Sequence, residues 1–198
     1  MSICPTPRED RARITKETIT RSAMRLFMEY GCDKVTIDEI CADCGLTKGA
    51  FYHNFPSKDH IVVLSFNLCL DAYLQEHFVL DETRPVSEQL VALDMAAMEF
   101  CFSVGKRVTA STYEAAIRSR IDVRISGRTY VNHLERLVQR GMEEHVFRGE
   151  LSFLERYLSL VAVFSGMAVK WATQPEEMDA AMDWKKLLRA QISLSLKD

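Results

Sequence analysis

Two lysines stand at predicted helix ends where positive charge is unfavourable. Lys48 directly follows Thr47, which we predict to cap a short helix, and Lys58 follows Ser57 in the same way. The N-terminus of a helix already carries partial positive charge, so a cation there destabilises the helix slightly. Gly49 comes next, and a glycine inside a helix costs about 1 kcal/mol relative to alanine. These choices make sense if a phosphate and the edge of a nucleic-acid groove approach these helix ends closely.

The residues before Lys48 predict two short helices joined by a tight turn. Thr36 and Glu39 have the spacing of a capping box, in which each side chain satisfies a free backbone amide at the start of a helix. Thr47 repeats the cap, and Gly45 can adopt the left-handed conformation that ends one helix and redirects the chain. Two short helices joined by such a turn form a helix-turn-helix, which we place at residues 36–53. The alternative is a plain helical hairpin with a solvated lysine.

The rest of the chain must form the elements that hold these residues, and its periodicity is helical. Ile19, Ala23 and Phe27 recur at intervals of four, and similar spacing follows Ser57. No run of alternating apolar and polar residues is long enough to indicate a strand. We therefore predict an all-α fold with about nine helices, near residues 10–30, 36–43, 47–53, 57–80, 86–104, 106–119, 122–146, 150–173 and 176–196.

The overall charge limits how the chain could bind nucleic acid. The 198 residues carry 25 lysines and arginines against 28 acids, a net charge of -3, which excludes binding by bulk positive charge. Any such contact must be local. Residues 61–105 hold Arg84 against seven acids, so the basic residues lie elsewhere. The predicted first helix carries a cluster of them: Arg8, Arg11, Arg13, Lys16, Arg21 and Arg25.

Composition predicts a cytoplasmic protein that folds without metal or disulfide bonds. The longest apolar stretch, residues 158–169, is shorter than the roughly 18 residues of a membrane span. Prolines and charged residues at 5–10 occupy the place of an apolar signal-peptide core. The hydrophobic content of 47% is enough for a core, and the six cysteines would be free thiols in a reducing compartment.

Residues 12–59 resemble the N-terminal domain of the TetR family of transcriptional regulators. The resembling segments are Leu26-Phe27-Met28-Glu29-Tyr30-Gly31, Val35-Thr36-Ile37-Asp38-Glu39-Ile40, Cys44-Gly45-Leu46-Thr47-Lys48-Gly49-Ala50-Phe51-Tyr52-His53-Asn54-Phe55 and Ser57-Lys58. The resemblance implies a three-helix DNA-binding domain at residues 1–56 and a larger helical ligand-binding and dimerisation domain at residues 57–198. It also implies a sequence-specific transcriptional regulator and not an enzyme, usually a repressor that a small-molecule effector releases from DNA.

The family resemblance also implies which residues contact double-stranded DNA, at an operator that we expect to be palindromic. Thr47, Lys48 and Gly49 are expected to lie at the groove, and Tyr52 and His53 to contact phosphates or base edges. Thr36 and Lys58 are expected to bind backbone phosphates. Phosphate contacts give affinity and register, whereas base contacts give sequence choice. For Thr36 and Thr47 the alternative role is that of a helix cap alone, and His53 could cap the end of its helix.

The predicted second domain should hold the effector and the homodimer interface. Effector sites are mainly apolar, so some of the following residues are expected to line one and the others to form ordinary core: Phe66, Cys69, Tyr73, Phe100, Cys101, Tyr113, Phe164 and Met167. We predict the dimer interface on the helices near 150–173 and 176–196. The first of these is apolar nearly all round, and Gly166 would let a twin helix approach closely. The alternative is that Gly166 relieves crowding inside one protomer.

Cys41 and Cys44 leave a second function open, that of a thiol-based redox sensor or a metal sensor. Their spacing is that of many metal and redox sites, but no second cysteine pair or histidine stands near them in the sequence. We therefore favour packing against the first helix, and we expect no cofactor and no metal. The five histidines stand without a nucleophile or paired carboxylate that would indicate catalysis.

Overall fold

The structure is a computed structural model that describes residues 7–121 and 128–197. Its described residues form nine α-helices and no strand, which confirms the predicted all-α fold. The helices are α1 (Pro7–Tyr30), α2 (Ile37–Cys44), α3 (Lys48–Asn54), α4 (Lys58–His77), α5 (Val86–Val104), α6 (Lys106–Arg118), α7 (Thr129–Glu143), α8 (Phe153–Thr173) and α9 (Trp184–Ser193). Cys4 and the predicted beginning of a helix near residue 122 lie outside the described residues.

The predicted last helix near 176–196 is wrong as one continuous element. A short 3-10 helix, Glu176–Ala181, comes first, and α9 begins separately after it. The reason is local, because the Asp183 carboxylate accepts a hydrogen bond from the Lys186 amide at 2.9 Å and starts a new helix there.

The first compact unit comprises Met1–Cys69 and Ser111–Val123. In it, α2 contacts both α1 and α3. Its core is made by side chains of these short helices and of the start of α4, all of them at 0% exposure: Ile19, Phe27, Ile40, Phe51, Phe55 and Ile61. Burying aromatic rings on one side of α3 fixes which of its residues face outward.

The second compact unit comprises Leu70–Ala110 and Arg124–Asp198. Helix α5 is central to it, because twelve of its nineteen residues are buried and α7, α8 and α9 all contact it. The two units group the chain differently from the predicted domains 1–56 and 57–198, since α4 contributes to both. The predicted boundary at residue 56 separates a DNA-binding part from a ligand-binding part, and this assignment of functions stays a prediction.

Candidate nucleic-acid interface

Helix α2 begins and ends as its sequence predicts. The Glu39 amide donates to Thr36 Oγ1 at 3.2 Å, and the Thr36 amide donates to Glu39 Oε2 at 2.7 Å, so the predicted capping box is confirmed. The hydrogen bonds that the Thr36 amide and hydroxyl donate to the Glu39 carboxylate, and the nearby Lys58 charge to a smaller extent, hold the pKa of this carboxyl below its usual value. Gly45 ends the helix with φ of 67°, a left-handed conformation in which a side chain would be strained.

Helix α3 is fixed by its two phenylalanines. Phe51 and Phe55 are fully buried, with ring centroids 5.6 Å apart. The Thr47 side chain caps the helix by accepting from the Ala50 amide at 3.2 Å. With one face held in the core, the opposite face of this seven-residue helix presents Tyr52 and His53 to solvent.

An ion pair that sequence reasoning missed joins α2 to α3. Lys48 Nζ lies 2.8 Å from the Asp38 carboxylate, and the hydrogen bond and the charge of Asp38 raise the pKa of the lysine. Because the two side chains are 60% and 66% exposed, water screens this pair strongly. The ammonium is therefore held at the first turn of α3 by a partner that a phosphate could replace. The acid ten residues upstream was the available sequence signal.

Lys58 lies at the beginning of α4 and reaches back to the loop before α2. Its Nζ donates to the backbone oxygen of Asp33 at 3.2 Å. Thr36 stands three residues further along that loop, so the two predicted phosphate ligands lie in one part of the first compact unit. Lys58 is half-buried, which restricts the directions its ammonium can take.

Gly49 has no steric explanation within the chain. A Cβ built on it would meet Thr47 Oγ1 at 3.7 Å, which is ordinary van der Waals contact. Alanine would favour the helix at this position by about 1 kcal/mol, so the glycine weakens α3 without relieving any internal contact.

The sequence-predicted residues divide between the two units. All seven DNA-contact candidates lie in the first unit, where six are exposed and Lys58 is half-buried. The effector candidates are spread over both units: Phe66, Cys69 and Tyr113 in the first, and Tyr73, Phe100, Cys101, Phe164 and Met167 in the second. Five of these eight are buried, while Cys69, Tyr73 and Tyr113 are half-buried. Their role as effector contacts stays a prediction.

Within the described ranges, none of the helices has the length and apolar character that crossing a bilayer requires.

Comparison with known proteins supports the sequence resemblance. Residues 19–63 match the family described as bacterial regulatory proteins, tetR family. An uncharacterised HTH-type transcriptional regulator of Bacillus subtilis, YerO, is 44% identical over 48 residues, which are 24% of this chain and 17% of the relative. The negative regulator of the Staphylococcus aureus biofilm operon, IcaR, is 30% identical over 92 residues, 46% of this chain and 48% of the relative. The matched part thus spans at most about half the length of these relatives.

The fold likeness extends over nearly the whole chain. TylP, a TetR regulator from Streptomyces fradiae, superposes with a TM-score of 0.60 at 21% identity, covering 95% of this chain and 89% of that one. Identity at that level supports the fold alone. The sequence match covers the helix-turn-helix, and the structural match adds the remaining helices. Residues 19–63 are thus similar to the tetR family of bacterial regulatory proteins, and the fold of the chain is similar to that of a solved TetR regulator.

Proposed function

We propose that this protein is a sequence-specific DNA-binding transcriptional regulator of the cytoplasm, which represses its target until a small-molecule effector releases it. The observation that carries the proposal is Gly49. This residue weakens α3 and relieves no close contact with any described residue, yet it lies on an exposed face beside Lys48. A helix end with a cation and no intervening side chain suits close approach to a DNA backbone and groove edge.

The proposed contacts follow from this face. Lys48 and Gly49 would meet the groove edge, and Tyr52 and His53 would touch phosphates or bases. Thr47 would contribute its hydroxyl proton, for which the described residues offer no acceptor. Lys58 would bind a backbone phosphate.

Thr36 is the weakest of the proposed contacts. Its hydroxyl accepts from the Glu39 amide and donates to the Glu39 carboxylate at 2.9 Å. A phosphate contact would have to replace the second of these bonds. The alternative role as a helix cap is therefore stronger for Thr36 than for Thr47.

The dimer proposal rests on the outer face of α8. Leu158 and Val169 are 39% and 38% exposed, and with Ala162 and Gly166 they form one stripe at helical spacing. A concavity of about 360 Å³ lies at this stripe and is shared with α9. Apart from its own helix backbone, a Cβ on Gly166 would meet no atom of the described residues within 4 Å, so crowding among them does not explain the glycine. A second copy related by two-fold symmetry would cover this stripe. The two-fold symmetry of such a dimer would match that of a palindromic operator.

The redox or metal-sensing alternative has less support. Burial raises the pKa of the Cys41 thiol, with a smaller contribution from the Asp38 charge, and burial also raises that of Cys44. Oxidation and metal binding both use the thiolate, which these shifts disfavour. Replacing both cysteines by serine should leave DNA binding and its sensitivity to peroxide unchanged.

The test of the proposed function is selection of genomic DNA fragments by the purified protein, followed by footprinting. We expect a protected site with two-fold symmetry, bound at least a thousandfold more tightly than random DNA. A protein that binds every fragment alike, or none, would contradict the proposal.

A further inference from the structure

Helix α5 carries an acid in the middle of its buried face. Asp94 is 3% exposed, and the residues one and two turns away from it on the same stripe are Leu90, Met98 and Cys101, each exposed by 1% or less. A carboxylate in such apolar surroundings is costly unless it is paired. The cost calls for an explanation, since a leucine or asparagine there would fold more easily.

The protein supplies the Asp94 carboxyl with one neutral donor. The Tyr130 hydroxyl at the beginning of α7 donates to Asp94 Oδ1 at 2.9 Å, and among the described residues it is the one hydrogen-bond partner of this carboxyl. An ionised carboxyl can accept about four hydrogen bonds, so most of its capacity remains open. The Tyr130 ring in turn packs on Phe164 of α8 at 5.1 Å between centroids.

A second buried acid in the same unit, Asp71, has the hydrogen-bond partners expected of a carboxylate with a structural role. The Asp71 carboxylate accepts two hydrogen bonds from the Arg128 guanidinium, at 3.0 and 3.2 Å, and a third from the Tyr130 amide at 3.4 Å. Its charge is balanced and its oxygens are occupied. Asp94 is buried as deeply and has neither a described cation nor a second donor.

We propose that Asp94, held by Tyr130, is the polar anchor of the effector site and takes the cationic end of an organic ammonium whose apolar body packs among α5, α7 and α8. This inference rests on the proposed effector-released function and deepens it. A monocation would neutralise the buried carboxylate and fill its open positions, while an anionic group would add a second buried negative charge. Phe164, already predicted as an effector contact, would lie beside the anchor through Tyr130.

Protonation of Asp94 is linked to binding of such a cation. Burial raises the pKa of the Asp94 carboxyl to about 7, although the Tyr130 hydrogen bond opposes the shift, and no described charged group on the neighbouring helices contributes. The ammonium binds the ionised form, so below pH 7 its affinity should fall by about tenfold per pH unit. At pH 6 binding should release close to one proton.

Three matched probes test the proposal: 1-naphthylmethylammonium, 1-naphthalenemethanol and 1-naphthoate, titrated by calorimetry up to millimolar concentration. At pH 8 we expect the cation to bind at least about tenfold more tightly than the alcohol, with naphthoate weakest, because hydrogen bonds between charged groups are stronger than those of a neutral hydroxyl. Asp94→Asn keeps an acceptor for Tyr130 and loses the charge, so it should abolish the preference. Glu99→Gln, which changes an exposed acid on the same helix, should keep it.

Several outcomes would overturn the proposal. They are equal binding of the cation and the alcohol, a cation preference that survives in Asp94→Asn, absence of proton release at pH 6, and no binding of any probe. Operator binding by the unliganded protein is measured on the same samples. If operator binding fails, the proposed function is wrong, whereas intact operator binding without cation preference rejects the anchor alone.

Discussion

The two compact units each contain an ion pair between an acid and a base that are distant in the sequence, and the pairs differ in burial. Lys48 and Asp38 of the first unit are 60% and 66% exposed, whereas Arg128 and Asp71 of the second are 10% and 11% exposed. Water screens the first pair, so its lysine can exchange its partner at little cost. Removing one partner of the second leaves a buried charge. The first unit thus keeps its charges available for a polyanion, and the second uses them to fix its core.

The largest effect on stability is expected when the buried ion pair between Asp71 and Arg128 is broken. Asp71→Asn removes the carboxylate charge that pairs with the largely buried Arg128 guanidinium, so we expect the free energy of unfolding to fall by about 3–5 kcal/mol. Urea denaturation measures this. The matched control is Arg136→Ala, which removes an exposed pair with Glu82 and should change stability by less than about 1 kcal/mol. Equal losses in the two variants would show that burial does not distinguish the pairs.

The second prediction concerns the pH dependence of stability that arises from Asp94. The fold raises the pKa of Asp94 from 3.8 to about 7, so the folded state binds the proton more tightly than the unfolded chain. Stability from this group is complete below pH 4 and is lost as pH rises to 7, at about 1.4 kcal/mol per pH unit. Relative to the parent, Asp94→Asn should therefore gain up to about 4 kcal/mol across that window. Denaturation of both proteins from pH 4 to 8 measures the gain, and parallel curves would refute it.

The third prediction concerns the outer face of α8 in the second unit. Gly166→Arg puts bulk and charge on a surface that nothing in the chain fills, so each protomer should still fold. The dimer should dissociate, and operator affinity should fall by at least about a thousandfold, toward that for random DNA. Sedimentation velocity gives the oligomeric state. An intact dimer would remove this helix from the interface.

The fourth prediction is that one substitution in the first unit raises stability while it weakens operator binding. Gly49→Ala should raise the free energy of unfolding by up to about 1 kcal/mol, because alanine favours the helix and meets no close contact. Operator binding should weaken, since the new methyl group stands at the proposed groove contact. Gly45→Ala is the control, because its φ of 67° makes a side chain strained and should lower stability instead. Unchanged operator affinity in Gly49→Ala would exclude close approach at this position.

The smallest effect is expected at Lys58. Lys58→Ala loses one hydrogen bond to the Asp33 backbone and one charge, so stability should hardly change. All DNA sequences should bind more weakly by a similar factor, and the salt dependence of log K should fall by about one unit. Lys185→Ala removes an exposed lysine on α9 and should leave that dependence unchanged. A loss confined to one base pair would point to base recognition instead.

The sequence by itself determined the parts of the molecule that depend on neighbours within a few residues. The capping box of Thr36 and Glu39 and the turn at Gly45 follow from local spacing, and the structure has them as predicted. The split of the last predicted helix was also local, and the Asp183 cap was the signal that was missed.

Tertiary structure alone decided which distant polar groups meet. Asp71 and Arg128 are 57 residues apart in the chain, and Asp94 and Tyr130 are 36 apart. Helical periodicity does not indicate which buried acid pairs with an arginine and which accepts from a hydroxyl. The choice of partner depends on how α4, α5 and α7 pack. The same packing occupies both oxygens of Asp71 with hydrogen bonds and leaves acceptor positions of Asp94 open. Nothing in the sequence around the two aspartates indicates this difference.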